Sequence, residues 1–245
     1  MTLSQTQVLN RNKIKYILIV AMLIDHIAWA FVPTASILGQ AMHFIGRLTG
    51  PSMAVLLAEG FQYTKNKKKY ALRLFIFAMI SWVPYSLNDF GTFPKFTPGM
   101  FGMIFTLFLA FITIWMWADL KVPKAIKIIF VILLCILSFF GDWPFFAILW
   151  AFFAYVYRER PIAKWVSFGI IALADVGLTL LMPMAFHEPW KGQLFQTGVI
   201  LVPILLICFY NKKKGSSAKI HKWFFYIFYP LHIFIIYLVK VFFFK

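Results

Sequence analysis

The sequence predicts an all-α fold, a polytopic transmembrane helical bundle of about nine spans, with the N-terminus cytoplasmic and the C-terminus outside. Three observations lead there. The 245-residue chain is 62% hydrophobic with a mean hydropathy of +0.82, which is more apolar surface than one soluble core of this size can hide. Its apolar runs approach the roughly 20 residues that a membrane crossing needs. Its basic residues fall in alternate loops.

The runs are residues 14–33, 37–63, 71–87, 99–118, 125–140, 143–157, 165–183, 196–210 and 223–243. The first carries Asp25 and His26 in its middle and lacks a small-residue cleavage site, so it reads as a retained span and not as a secretory leader. The fifth and sixth are short and separated only by Gly141 and Asp142. That turn must be tight, and a re-entrant hairpin is the alternative to two full spans. Loops on one side, around residues 11–15, 65–73, 121–127, 158–164 and 212–222, hold 19 Lys and Arg. The other side holds Lys95, Lys191, Lys240 and Lys245. Positive loops stay in the cytoplasm, which sets the orientation and suggests a bacterial cytoplasmic membrane. Residues 1–245 read as a single transmembrane domain without repeats. The longest outer loops, 88–98 and 185–195, are short and rich in Pro, Gly and aromatic residues.

The net charge of +16 would point to nucleic acid in a soluble protein. Here topology and contact with anionic lipid explain it, so no nucleic-acid partner is expected. Cys135 and Cys208 lie in apolar runs and form neither metal spacing nor a disulfide framework. No Walker motif, zinc signature, dinucleotide glycine pattern or nucleophile elbow is present, and no metal is expected. The oligomeric state is not written in the sequence.

Ionisable groups near a bilayer centre are costly unless they are paired or solvated. Counting a rise of about 1.5 Å per residue, Asp25, Arg47, Ser81, Asp175 and His232 all come out about 15 Å deep, on five different helices. His26 sits one step further out, and His43 lies nearer the outer face. A shared polar chamber is the simplest account. Plainer readings stand beside it. Arg47 can neutralise Asp25 or Asp175 as a structural pair. Asp25 and His26, about 100° apart on a helix, cannot orient one another, so one faces the chamber and the other a neighbour. His232 can donate across a helix interface. His43 and His187 can be interfacial, and Glu59 can pair with Lys65 or Arg73. Gly46 and Gly50, a turn apart, permit close helix contact.

An imidazole is the natural general base near neutral pH, and an arginine can bind phosphates or developing negative charge. The lysines at 65–69 and 212–214 can attract an anionic donor such as acyl-CoA, although topology and lipid contact are by themselves the stronger account of them. The same ingredients would serve a proton-coupled transporter.

Several strings carry a resemblance. They are Ala-Met-Leu-Ile-Asp-His-Ile at 21–27, Gly-Arg-Leu-Thr-Gly-Pro at 46–51, Leu-Leu-Ala-Glu-Gly-Phe at 56–61, Thr64-Lys65-Asn66, Lys69-Tyr70 with Arg73-Leu74, and Phe-Tyr-Pro-Leu-His at 228–232. In order and spacing they resemble the TraX family, named for a conjugation protein that acetylates pilin N-termini. Residues 91–222 match only in being hydrophobic. The family in turn looks distantly related to the acyltransferase-three O-acetylases and heparan glucosaminide N-acetyltransferase. The resemblance implies an integral membrane acetyltransferase. It would use cytoplasmic acetyl-CoA and a small-molecule, glycan or peptide acceptor. It makes His26 the first choice for the base, with Asp25 and Arg47 as companions and His232 as a further site residue. Arg47, Lys65, Lys69 and Arg73 become donor-binding candidates, with His43, Glu59, Ser81 and Asp175 as other chamber residues. The chain departs from the family at Gly50, where an aromatic is usual, and at Ser52 and Met53, where a hydrophobic–Phe pair is usual. If these side chains line the acceptor pocket, the acceptor differs. The rivals are a small proton-coupled transporter or exporter, against which the lack of paired halves argues mildly, and a non-catalytic partner in an envelope complex.

Overall fold

The computed structural model describes residues 6–181 and 190–243. The expected His187, residues 185–189 of the expected outer loop and the end of the seventh expected span lie outside the described residues. Among those described there are no strands, and the chain is helical nearly throughout. The helices are α1 (Arg11–Phe31), α2 (Ile37–Gly46), α3 (Thr49–Tyr63), α4 (Lys67–Phe90), α5 (Met103–Asp119), α6 (Lys124–Leu137), α7 (Phe146–Val156), α8 (Pro161–Leu181), an irregular helix (Gly192–Phe209) and α9 (Lys219–Phe243).

Local chemistry sets several of these ends. Asn10, Ser36 and Asn66 cap α1, α2 and α4, each side chain accepting a first-turn backbone N–H, which offsets part of the cost of unpaired helix-terminal donors. Gly91 ends α4 in the left-handed region at φ 63°, where a glycine carries no steric penalty.

Among the described residues, five helices are long and apolar enough to cross a membrane: α1, α4, α8, the irregular helix and α9. The other expected spans have helical counterparts of different form. The second is interrupted at Arg47 and Leu48, between α2 and α3. Broken backbone at membrane depth is tolerated where it is buried in protein, and residues 46–50 are all buried. The fifth and sixth expected spans become α6 and α7, of 14 and 11 residues. At α-helical rise they reach about 21 Å and about 17 Å, short of a hydrocarbon core about 30 Å thick. The connection between them is longer than the two-residue turn expected: a 3-10 turn, Ser138–Phe140, is followed by residues 141–145 before α7 begins. Trp143 and Phe145 sit at φ 54° and 44°, a region that non-glycine residues seldom occupy. Gly141 has Thr106 Oγ1 where its Cβ would be.

The chain folds as two compact units. The first comprises residues 1–52 and 169–228, the second 53–168 and 229–245. In the first, α1 packs on α2, and α2 packs on the irregular helix. Gly198 makes the second contact possible, since a Cβ there would lie 2.1 Å from the Phe44 carbonyl oxygen. In the second, α5 is the central helix, packed against α4, α6 and α7. Phe111, Ile114 and Trp150 fill its core without exposure to solvent. Elsewhere apolar side chains face outward in rows, as with Ile129, Ile132, Leu133 and Ile136 on α6. That suits a lipid environment and would be a liability in water.

Candidate functional site

The first unit holds a buried, mutually hydrogen-bonded set of ionisable side chains. Asp25, inside α1, faces α2. Its Oδ1 accepts from His43 Nδ1 at 2.7 Å, and its Oδ2 accepts from Arg47 Nη2 at 2.9 Å. His43 and Arg47 are one turn apart at the end of α2, so they share a face. Gly46 lies between them, and a Cβ there would come within 2.3 Å of Asp25 Cγ. The close approach expected of Gly46 thus exists to seat this carboxylate. His43 is fully buried, and Asp25 and Arg47 are each 8% exposed.

Aromatic rings enclose the set. The His43 ring lies 4.2 Å from the Trp29 centroid and 5.0 Å from that of Phe195. The Arg47 guanidinium stands over Phe195 at 5.1 Å, with its Nη1 3.5 Å from Gln196 Oε1. Gln40 holds Phe195 and Gln196 in place. Its Oε1 accepts from the Phe195 backbone N–H, and its Nε2 donates to the carbonyls of Thr34 and Gly192.

This geometry fixes one proton of His43. A carboxylate can only accept, so Nδ1 is the donor, and Nε2 is the nitrogen left to exchange a proton. That Nε2 is buried and has no hydrogen-bond partner among the described residues. Buried polar atoms without partners are uncommon and call for an explanation. Among the described residues, Asp175 and Ser52 supply others in the same unit. Asp175 is buried within reach of the Arg47 charge, with Oδ2 unpartnered. Ser52, one of the departures from the family pattern, is fully buried with an unpartnered hydroxyl.

Of the residues singled out from sequence, the structure brings Asp25, His43 and Arg47 into contact. His26 points elsewhere on α1, its Nδ1 donating to the Met22 carbonyl at 3.0 Å. It does not orient Asp25, as expected. His43 is an interior residue and not an interfacial one. The remaining candidates belong to the second unit. Ser81 is buried, and its hydroxyl donates to its own helix at the Phe77 carbonyl. His232 is buried against the Tyr229 ring. Glu59 is half-buried near the end of α3, and Lys65 is exposed in the turn that follows. Lys69 is exposed in the first turn of α4, and Arg73 one turn on is half-buried over the Tyr70 ring at 5.3 Å. Among the described residues, no three His, Cys, Asp or Glu side chains gather as a metal-binding group.

Sequence reasoning missed Trp29, Gln40, Phe195 and Gln196. The spacing of Trp29, four residues after Asp25, would have placed it on the same face. Nothing in the sequence links residues 195 and 196 to α2.

The chain matches the family described as "TraX protein" over residues 10–240. It is 32% identical over 243 residues to "Probable fimbrial assembly protein FimC, serogroup H1" of Dichelobacter nodosus, covering 94% of this chain and 95% of that relative. No solved structure matches it significantly. The match therefore runs through the middle of the chain as well as the motif-bearing ends, and this membrane protein belongs to the TraX family.

Proposed function

We propose that the protein is an integral membrane acyltransferase. It moves an acetyl group from acetyl-CoA to an amine or hydroxyl acceptor at the membrane or its outer face. The observation that carries this reading is the buried Asp25–His43 pair, whose outer imidazole nitrogen has no partner among the described residues. Asp25 holds the tautomer and stabilises the imidazolium that forms, the role of an orienting carboxylate beside a general base. His43 Nε2 takes the proton of the attacking amine or hydroxyl as the new bond to the acyl carbon forms. It returns that proton to the departing sulfur as the carbon–sulfur bond breaks. Acetyl-CoA supplies the activated thioester carbonyl. Arg47 is paired with Asp25 and lies where it can offset negative charge on the acyl oxygen. His26, the base implied by family resemblance, is the rival to His43 for that role.

The relative's name ties that protein to fimbrial assembly. With the resemblance to pilin acetylation, this favours the amine of an exported, membrane-held peptide as acceptor. The same reading puts the helical bundle in a bacterial cytoplasmic membrane, N-terminus inside. Asp175 favours a second reading. A buried carboxylate with a free oxygen suits a proton relay in a transporter.

The test compares the purified protein in detergent with His43→Ala and His26→Ala, reading acetyl-CoA binding and thiol release. Loss of turnover by about 10²–10⁴-fold in His43→Ala, with binding retained, is expected. Full turnover in His43→Ala with loss in His26→Ala would move the base to His26. Absence of acyl-CoA binding, with proton flux in proteoliposomes, would replace the enzyme by the transporter.

A further inference from the structure

Two segments about 200 positions apart are fastened side by side in the first unit. The Thr6 hydroxyl and Gln7 amide donate to the carbonyls of Cys208 and Ile207. Leu9 and Tyr210 form a β-bridge, with Leu9 N–H donating to the Phe209 carbonyl and Asn211 N–H to that of Leu9. Arg11 N–H donates to the Lys213 carbonyl, and the Asn12 amide to that of Ser216. The returning strand is bent to fit. Lys212 adopts φ 60° and Gly215 φ 80°, and a Cβ on Gly215 would lie 2.7 Å from Asn10 Oδ1. The result lays Lys212, Lys213 and Lys214 along the stretch that carries Lys13.

Membrane topology explains why each segment is basic. It does not explain why the two are bonded together, since like charges brought close repel. Nor do these segments carry their own counter-ions, for no Asp or Glu occurs before Asp25 or after Glu188. The second unit differs. There Lys67 meets Asp119 at 2.7 Å and Arg158 meets Glu159 at 3.6 Å. A left-handed lysine held in place by surrounding hydrogen bonds is the kind of strain that collects at binding sites.

We propose that this basic end, built from Lys13 and Lys212–Lys214, binds a phosphate-bearing anion. Two sources offer that chemistry: the phosphates of a soluble donor such as coenzyme A, or an anionic lipid headgroup. Only the first rests on the acyltransferase reading. It would place donor phosphates here and not at Lys65, Lys69 and Arg73.

The test uses the full chain in zwitterionic detergent, with Lys212, Lys213 and Lys214 changed together to Gln and, separately, to Arg. Calorimetry reads coenzyme A binding, and native mass spectrometry reads retained phosphatidylglycerol. The Gln variant is expected to weaken one of the two by roughly tenfold or more, as lost charge-assisted phosphate contacts imply. The Arg variant should retain it. Weakened coenzyme A binding identifies the donor, and lost lipid identifies the headgroup. Unchanged binding of both, in a Gln variant that unfolds at the same temperature, overturns the site. Neither readout requires turnover, so a transferase that fails its own test leaves this result standing.

Discussion

Asp25 and Asp119 each meet a cation across two helices, at nearly equal distances, yet they do different work. Asp25 is buried, and both of its oxygens are committed, one to His43 and one to Arg47. Asp119, at the end of α5, is half open to solvent. It binds Lys67 through both oxygens and also accepts from Trp115 Nε1. Lys67 in turn stands over Phe61 at 4.6 Å. The exposed pair is a clasp between helices, screened by water and salt. The buried set is a charge network in which each member depends on the others. The contrast extends to buried hydroxyls. In the second unit Ser81 and Thr113 donate to carbonyls of their own helices, and Thr106 donates to the Asp142 carbonyl in the connection before α7, so each hydroxyl finds a backbone acceptor. In the first unit, the carboxylate interacts with its partners in a way that leaves an imidazole nitrogen available.

Substitutions sharpen or break this comparison. The largest expected effect is at Arg47. Arg47→Ala leaves a buried carboxylate uncompensated and should cost about 3–5 kcal/mol, read as a large drop in the unfolding midpoint in detergent. A loss as small as that of an exposed pair would mean that water reaches Asp25 and the network is no network. Gly46→Ala comes next. Its methyl would overlap Asp25, and overpacking of this kind costs about 1–3 kcal/mol. Transfer activity should fall with it, because the Asp25–His43 contact must shift.

In the second unit, Tyr229→Phe tests a different device. The Tyr229 hydroxyl accepts from Met103 N–H at the start of α5, and Gly102 makes room for it. The phenol thus caps a helix whose own N-cap residue has no side chain. Its loss should cost about 1 kcal/mol, with acyl transfer unaltered when measured well below the midpoint. Lys67→Met should cost less than about 1 kcal/mol, and high salt should remove the difference between it and the wild type. Ser52→Ala should be neutral or slightly stabilising, because it removes a buried hydroxyl without a partner. If Ser52 contacts the acceptor, the Michaelis constant for acceptor should rise while stability holds.

Much of the architecture was legible in order along the chain. A helix in lipid must satisfy its own backbone and turn apolar side chains outward, so composition and charge alternation expose helices directly. Asp25, Arg47 and Asp175 stood out for the same reason, as ionisable groups in apolar runs. The choice between His26 and His43 as partner of Asp25 did not stand out. Adjacent residues diverge around a helix, while residues 18 apart can meet only if two helices pack at one register. Local propensity does not set that register. Gly46 sets it, through the space it leaves.

The sequence by itself therefore determined that this is a helical membrane protein of the TraX family with charged groups held in its interior. Those properties follow from transfer free energies that each residue carries wherever it lies. Only the tertiary structure decided that α2 breaks at Arg47, that His43 takes the Asp25 carboxylate, that Phe195 and Gln196 cover it, and that residues 6–12 join residues 207–216. Each of these depends on contacts between segments far apart in the chain, and such contacts exist only once the chain has closed on itself.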